Sequence, residues 1–302
     1  MRAGRLWVRS LAAGGVVAST FAAVSPSAAV CDDRTDPPIG WRGAALGATA
    51  ASAAAWLIYQ ASSSGQQKVD TDSWQKKWEA SQINFHLTSL HPALEAFGQR
   101  LLVGDGAPTR MLFPLCGKAV DMPHFARLGH SVVGCDCVRL AMESLVQETS
   151  GASISRESFI RPHQVVEIAL AVEKPARMTY IVGDFFQLTP RTVGGTFEAV
   201  WDRGSLVAIA PELRKRYVET LQPMLVPGGR ILLVTVEHDG FANGKFGPPF
   251  SVTSADLDRL FPAPLYSIEM LRREDRLPVE PAWRQRGCTV FYEATYLVTK
   301  RG

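Results

Sequence analysis

From about residue 68 onward, apolar runs of strand length alternate with stretches of helical periodicity. This alternation is typical of a sheet whose strands are linked by helices, because each helix must bury one apolar face against the sheet. The sequence therefore predicts an α/β fold with a largely parallel sheet and helices on both faces. The predicted strands are Met111–Phe113, His130–Gly134, Tyr180–Val182, Phe197–Trp201, Arg230–Val236 and Phe291–Thr299, and the predicted helices are Ala119–Leu128, Arg139–Glu148, Pro211–Leu225 and Ser254–Leu260.

Glycines and polar residues follow the ends of four predicted strands. Parallel strands bring their carboxyl ends to one edge of the sheet, where ligands of such folds bind. A glycine there lets the backbone approach a ligand, and an acidic residue about 20 residues later suits ribose hydroxyls. Each signal alone also fits a tight turn or a helix cap, but the ordered set outlines a slot for a nucleoside. The set consists of the strand ends Leu115-Cys116-Gly117-Lys118, Gly134-Cys135-Asp136, Gly183-Asp184-Phe185-Phe186 and Trp201-Asp202-Arg203-Gly204.

The composition excludes several classes of partner. The formal net charge is only +3, and the basic residues are not concentrated in one block, so no nucleic-acid partner is predicted. The five cysteines are scattered and lack the spacing of metal ligands, so no metal site is predicted. Buried free thiols in a reducing compartment fit this pattern best.

Residues 1–30 differ in amino-acid composition from the rest of the chain. They contain no acidic residue, and Arg2, Arg5 and Arg9 recur at helical spacing. This pattern is typical of a mitochondrial or plastid targeting presequence. A secretory signal is the alternative, because small residues near Ala28 offer a cleavage point. We expect a mitochondrial location.

An uncharged apolar stretch, residues 43–59, lies within the second segment, 31–67, and is followed by a Ser-rich linker. As a helix it would span about 25 Å, near the lower limit for crossing a bilayer. We expect it to be an anchor helix that associates with a membrane. A helix packed in a protein complex and the sorting part of a bipartite presequence are the alternatives. The catalytic domain is then expected to cover residues 68–302.

Five ordered motifs resemble the thiopurine S-methyltransferase family. The longest begins at Leu112 and reads LFPLCGKAVDMPHFARLGHSVVG. The resemblance covers residues 72 to 300, and runs such as FPLCGK and WDRG are far more specific than a lone glycine motif. The other motifs are Trp74-x3-Trp78 followed by Phe85-His86, Gly183-Asp184-Phe185-Phe186, Trp201-Asp202-Arg203-Gly204 with Leu206–Ile209, and Gly247-Pro248-Pro249-Phe250, and Tyr296-Leu297 looks like the family's last strand.

The resemblance implies a Rossmann-like class I methyltransferase fold with a seven-stranded sheet and S-adenosylmethionine as cofactor. It implies a role for each matching residue. Trp74, Trp78 and Phe85 look like a lid over the cofactor and acceptor, Leu115 and Gly117 match the turn beside the methionine part, Asp136 matches the ribose contact, Asp184 and Phe185 match the adenine site, and Arg203 matches an arginine near the methyl donor and acceptor.

Two departures from the family pattern affect these assignments. Asp136 stands where a glutamate is usual in the family, so its carboxylate reaches one methylene less far. The segment from Arg272 to Arg286 aligns loosely, which leaves Arg284 and Arg286 as candidates for a contact with the acceptor.

The expected reaction is methyl transfer to the sulfur of a small aromatic or heterocyclic thiol. A thiolate is the better nucleophile, and Arg203 is the cation expected to favour it. Phe85 is expected to bind the acceptor as part of an apolar cap, while His86 and Asp72 are candidate proton acceptors. Two alternatives remain open at this stage: another acceptor, such as a halide or a selenium species, and a recruited structural subunit of an organellar membrane complex.

Overall fold

The computed structural model describes residues 70–104, 106–171 and 176–302. They belong to a compact unit that spans residues 67–302. The predicted presequence, the apolar stretch 43–59 and the Ser-rich linker lie outside the described residues and stay predictions. Within the described part of the chain, no helix is both long enough and apolar enough to span a membrane.

The described strands form a single nine-stranded sheet. In chain order they are β1 (Arg110–Phe113), β2 (Ser131–Asp136), β3 (Ala152–Ile160), β4 (His163–Leu170), β5 (Ala176–Val182), β6 (Phe197–Arg203), β7 (Leu225–His238), β8 (Tyr266–Asp275) and β9 (Phe291–Lys300).

The described helices connect and flank these strands. They are α1 (Thr71–Glu79), α2 (Pro92–Leu101), α3 (Asp121–Arg127), α4 (Arg139–Glu148), α5 (Pro190–Val193), α6 (Arg214–Leu221), α7 (Ser254–Leu260) and α8 (Pro281–Gln285). Helices α4 and α7 coincide with two predicted helices. At the start of α7, Thr253 and Asp256 form a reciprocal capping box, which satisfies backbone donors that the first turn leaves free.

The strand order is β3-β4-β5-β2-β1-β6-β7-β9-β8. Five central strands pair in parallel, from β5 through β2, β1 and β6 to β7. Strand β9 pairs with β7 in the antiparallel sense, and β8 pairs with β9 in the same way. These seven strands match the predicted seven-stranded, largely parallel sheet.

The other two strands are an addition that the sequence analysis did not predict. Strands β3 and β4 form an antiparallel hairpin, and β4 pairs with β5 at the edge of the seven-stranded part. The expected count of seven is therefore too low by this hairpin. Strand β3 lies at the outer edge and is exposed along most of its length, so it carries no apolar run that would mark it as a strand.

Both faces of the sheet are covered, as predicted for parallel strands. On one face, β-strand side chains such as Leu112 and Val200 pack with residues of α6 and α7. On the opposite face, neighbours such as Met111 and Trp201 pack with residues of α2, α3 and α4. The polar groups that reach a ligand are therefore restricted to the strand ends and the loops that follow them.

The strand order reverses beside β1. The chain passes from β1 outward to β2 and β5, and later returns on the other side of β1 to form β6 and β7. The ends of β1 and β6 thus border the point where strand order switches, which is the usual ligand-binding crevice of such sheets. Gly117 follows β1 and Arg203 ends β6, so both lie at this crevice.

Candidate active site

The turn after β1 has an unusual backbone conformation. Leu115 has φ 43° and Gly117 has φ 52°, both in the left-handed region. For leucine this conformation is strained, and strain of this kind is concentrated at functional sites. At Gly117 a Cβ atom would lie 2.1 Å from Nε2 of His86, so only glycine fits beneath this ring. In this structure the group that approaches Gly117 is a side chain of the protein itself, and the expected approach of a ligand to this glycine stays a prediction.

Asp136 ties the end of β2 to this turn. Its Oδ2 accepts from the Gly117 amide at 2.9 Å, and its Oδ1 accepts from the Val138 amide at 3.0 Å. Burial raises the pKa of the Asp136 carboxyl, and the two amides oppose that shift. From the other side, the buried Tyr180 hydroxyl donates to the Gly117 carbonyl at 2.8 Å. The structure therefore brings the predicted ribose residue and the predicted glycine turn into direct contact.

His86 closes over the glycine turn. Its Nε2 accepts from the Lys118 amide at 3.0 Å, and its ring packs against Trp78 and Phe85 at centroid distances of 5.0 and 4.6 Å. Burial lowers the pKa of His86 to about 4. The ring is therefore neutral at pH 7, but the lone pair that would take a proton is already engaged. The proposal of His86 as a proton acceptor does not fit this arrangement, and its role is to hold the segment from Phe85 against the turn.

The three predicted lid residues lie together on and after α1. Trp78 is buried, with 4% of its surface exposed, whereas Phe85 keeps 41% exposed. Trp74 meets Phe85 edge to face at a centroid distance of 5.7 Å. Asp72, the other candidate proton acceptor, is exposed on α1. The predicted apolar cap is thus an aromatic cluster with Phe85 as its accessible member.

Arg203 reaches this cap from the end of β6. Its Nη1 donates to the backbone carbonyl of Phe85 at 2.5 Å. Burial lowers the pKa of the guanidinium, and the carboxylates of Asp121, Glu293 and Glu280 oppose that shift. Among the described residues, none of these carboxylates comes close enough to form an ion pair with Arg203. A partly buried guanidinium without an ion-pair partner among the described residues has the chemistry to bind an anion.

The neighbouring Asp202 serves the fold. Its Oδ1 accepts from the Leu206 amide at 3.1 Å and its Oδ2 from the Tyr217 hydroxyl at 2.7 Å. Its side chain is 1% exposed. Asp202 therefore stabilises the fold and forms no ion pair with Arg203.

Asp184 and Phe185 lie in the turn after β5. The Asp184 carboxylate accepts from the Phe186 amide at 3.0 Å and from the Gln187 side chain at 3.1 Å. It therefore caps the short 3₁₀ helix Phe185–Gln187. Phe185 is 4% exposed and stacks on Tyr217 at 4.7 Å, so its ring belongs to the core. Any contact of Phe185 with a ligand is left to its backbone.

The loosely aligned arginines lie apart from this cluster. Arg286 is exposed and covers the rings of Phe241 and Trp283 at 3.9 and 4.8 Å. Arg284 is exposed on α8. Neither is brought to Arg203 by a contact of the described residues.

Asp121 also belongs to the surroundings of Arg203, although no sequence pattern above singles it out. Asp121 is 6% exposed, and its Oδ2 accepts from the indole of Trp201 at 3.0 Å. It lies within the quoted run that begins at Leu112, so its position in a specific motif was a usable signal. No group of His, Cys, Asp or Glu in the described ranges is arranged to hold a metal ion.

Comparisons with known proteins agree on the family. The family model of thiopurine S-methyltransferase matches residues 69–301. The thiopurine S-methyltransferase of Methylococcus capsulatus is 33% identical over 231 residues, which cover 76% of this chain and 96% of that protein. The Bos taurus protein of the same name is 33% identical over 230 residues, covering 76% of this chain and 89% of the relative.

A solved structure supports the fold. It comes from work on the conversion of a disulfide bond into a thioacetal group during echinomycin biosynthesis. Its TM-score is 0.51 at 15% identity, and the match covers 76% of this chain and 92% of that chain. Together with the strand order and the family match, it confirms the Rossmann-like methyltransferase fold. The chain belongs to the thiopurine S-methyltransferase family.

Proposed function

We propose that this protein transfers the methyl group of S-adenosylmethionine to the sulfur of a small aromatic or heterocyclic thiol. The family match over residues 69–301 supports methyl transfer. Relatives from bacteria and mammals carry the name thiopurine S-methyltransferase, which supports sulfur as the acceptor atom. The thiol itself is proposed as a class.

The strand ends offer a candidate contact for each part of the cofactor. Asp136 would hold the ribose, and the turn of Leu115 and Gly117 would hold the methionine part. Asp184 and the backbone of Phe185 would meet the adenine. Trp74 and Trp78 would cover the cofactor from α1. The fit rests on the direct Asp136–Gly117 hydrogen bond, which brings the proposed ribose and methionine contacts to one place.

The short Asp136 side chain changes how the ribose would be held. Each carboxylate oxygen accepts one backbone amide, and a carboxylate offers about four acceptor positions, so a ribose hydroxyl can still donate to it. The amides also fix the carboxylate in place before binding. Preorganisation of this kind compensates for the missing methylene relative to a glutamate.

The observation that carries the proposal is the unpaired guanidinium of Arg203 beside the aromatic cap. The cofactor supplies an activated methyl group on a sulfonium with a neutral thioether as its leaving group. Arg203 would stabilise the thiolate form of the acceptor, whose proton is lost to solvent. Phe85 and Trp74 would hold a flat acceptor and exclude water, so that proximity and orientation lower the barrier.

Methyl transfer to paired acceptors tests this proposal. An aromatic thiol and the phenol of the same shape are offered to the wild-type protein and to Arg203→Gln. We expect the thiol to be methylated and the phenol not, and we expect Arg203→Gln to lower kcat/KM for the thiol by about 10- to 100-fold, as loss of a charged hydrogen bond predicts. Within a thiol series, the loss should grow with the thiol pKa. Cofactor binding without methylation of any aromatic thiol would overturn the sulfur assignment.

The mitochondrial location and the membrane association through residues 43–59 stay predictions from the sequence. The alternative of a structural subunit gains no support from the described residues. Retention of the Asp136–Gly117 contact and of an unpaired Arg203 is expected of a catalyst and is not required of a scaffold.

A further inference from the structure

The added hairpin places a histidine against the proposed adenine turn. His163 is the first residue of β4, and none of its surface is exposed. The next residue, Gln164, pairs with Val182 in the β4–β5 register. His163 therefore lies beside Gly183, at the start of the turn that carries Asp184.

A hydrogen bond joins the histidine to this turn. Nε2 of His163 lies 2.9 Å from the carbonyl oxygen of Asp184. A carbonyl oxygen only accepts, so Nε2 must carry the proton and donate. The same oxygen accepts from the Gln187 amide at 3.0 Å. Both lone pairs of the Asp184 carbonyl are thus engaged, which fixes the orientation of this peptide.

Close packing adds to the hydrogen bond. A Cβ atom at Gly183 would lie 2.5 Å from Cδ2 of His163, so the imidazole rests directly on the glycine. On the β2 side, the Gly183 amide donates to the Asp136 carbonyl at 2.9 Å. The turn is held between β2 and the hairpin. The hairpin therefore supplies one of the two supports of the proposed adenine contact.

We propose that His163 is a positioning residue that sets the preference of the site for adenine. It acts through the backbone of Asp184 and needs no contact with the cofactor. When its donor is lost, the Asp184 peptide can rotate, and the carboxylate then no longer meets the exocyclic amino group of the base. The inference rests on the proposed cofactor site, because it requires the Asp184–adenine contact.

The test compares two ligands that differ at one group of the base. S-adenosylhomocysteine carries the adenine amino group, and S-inosylhomocysteine carries a carbonyl oxygen in its place. Calorimetric titration of the full chain gives the ratio of their dissociation constants. The variants are His163→Phe, which fills the space without a donor, and His163→Gln, whose side-chain amide donates from a position close to Nε2.

We expect the wild-type protein to prefer the adenine ligand at least about tenfold. His163→Phe should reduce that ratio by about fivefold or more, which corresponds to one hydrogen bond, through weaker binding of the adenine ligand only. His163→Gln should restore it. The matched control is His130→Phe. It also removes a ring nitrogen that bonds to the backbone, because Nδ1 of His130 accepts from the Thr109 amide at 3.1 Å. This control should leave the ratio of the two dissociation constants unchanged.

The possible failures are distinguishable. An unchanged ratio in a folded His163→Phe protein would overturn the role of His163. Equal binding of the two ligands by the wild-type protein would instead refute the Asp184–adenine contact on which the inference rests. If His163→Phe does not fold, His163→Asn replaces it, because the shorter amide of asparagine cannot reach the Asp184 carbonyl. The preference for the adenine ligand must then be about fivefold lower in His163→Asn than in His163→Gln.

Discussion

The guanidinium of Arg203 donates to the backbone carbonyl of Phe85 at 2.5 Å. This bond joins the end of β6, at the crevice of the sheet, to the segment that carries the aromatic cap. Because the acceptor is a backbone atom, the side chain of Phe85 can be changed while the bond is kept. The contributions of the cation and of the cap can therefore be separated by mutation.

Phe85→Ala should weaken acceptor binding without releasing Arg203. Phe85 is the accessible ring of the cap, and its loss removes the edge contact with Trp74. We expect the acceptor KM to rise about tenfold, as loss of part of a buried aromatic contact predicts, and the dissociation constant of S-adenosylhomocysteine to change less than about threefold. Steady-state kinetics with an aromatic thiol check this. Phe159→Ala, at a phenylalanine 73% exposed on edge strand β3, is the control, and an unchanged KM for Phe85→Ala would refute the cap.

The lowered pKa of His86, about 4, makes the anchoring of the lid depend on pH. The unfolded chain binds this proton at its ordinary pKa of 6.5, so between pH 6.5 and 4 the unfolded state holds more protons at this site. Stability from this group is therefore present above pH 6.5 and is lost as the pH falls toward 4. His86→Phe has no titrating ring at this position. Its Tm should therefore fall less than the Tm of the wild type as the pH falls.

Thermal unfolding at pH 7 and pH 4.5 measures this shift. Phe159→Ala, at an exposed phenylalanine of edge strand β3, changes no titrating group and should give a Tm difference that does not vary with pH. If the Tm difference between wild type and His86→Phe were also the same at both pH values, His86 would not titrate with a lowered pKa.

Tyr217→Phe should destabilise the fold and spare the site. The Tyr217 hydroxyl donates to the buried Asp202 carboxylate at 2.7 Å, and a hydrogen bond to a charged group contributes about 1.5–3 kcal/mol. We expect the free energy of unfolding in urea to fall by that amount while cofactor affinity is kept. Tyr292→Phe, whose ring stays in contact with Arg273, should change it by less than about 0.5 kcal/mol. If Tyr217→Phe left the free energy of unfolding unchanged, Asp202 would not have the structural role assigned to it.

The sequence alone predicted the central strands and the order of residues along the crevice. Strands such as β6 and β7 are buried on both faces, so their apolar runs stand out, and the residue that follows each run is fixed at the sheet edge. Strands β3 and β8 lie at the two edges of the sheet and carry exposed polar side chains, so their sequences contain no such run. Register and pairing partners, which seat His163 beside Gly183, depend on long-range contacts that no local pattern encodes.

The sequence predicted which residues lie near the crevice better than it predicted what each of them contacts. Asp136 contacts Gly117 directly, and Arg203 bonds to the segment of Phe85, whose next residue His86 covers the same turn. His86 differs from the expectation because its burial and its bond to Lys118 arise from the packing of α1 and the segment after it. Phe185 differs because its ring finds a partner in Tyr217, on a distant helix.

Calorimetric titration of S-adenosylhomocysteine into the full chain, wild type beside Asp136→Ala, tests the cofactor site most directly. Asp258→Ala, at an exposed aspartate of α7, is the control. We predict binding in the micromolar range for wild type and control, and at least about 100-fold weaker binding for Asp136→Ala, because the variant loses the ribose contact and the carboxylate that holds the Gly117 turn. A folded wild-type protein that does not bind, or an Asp136→Ala protein that binds equally well, would contradict the site.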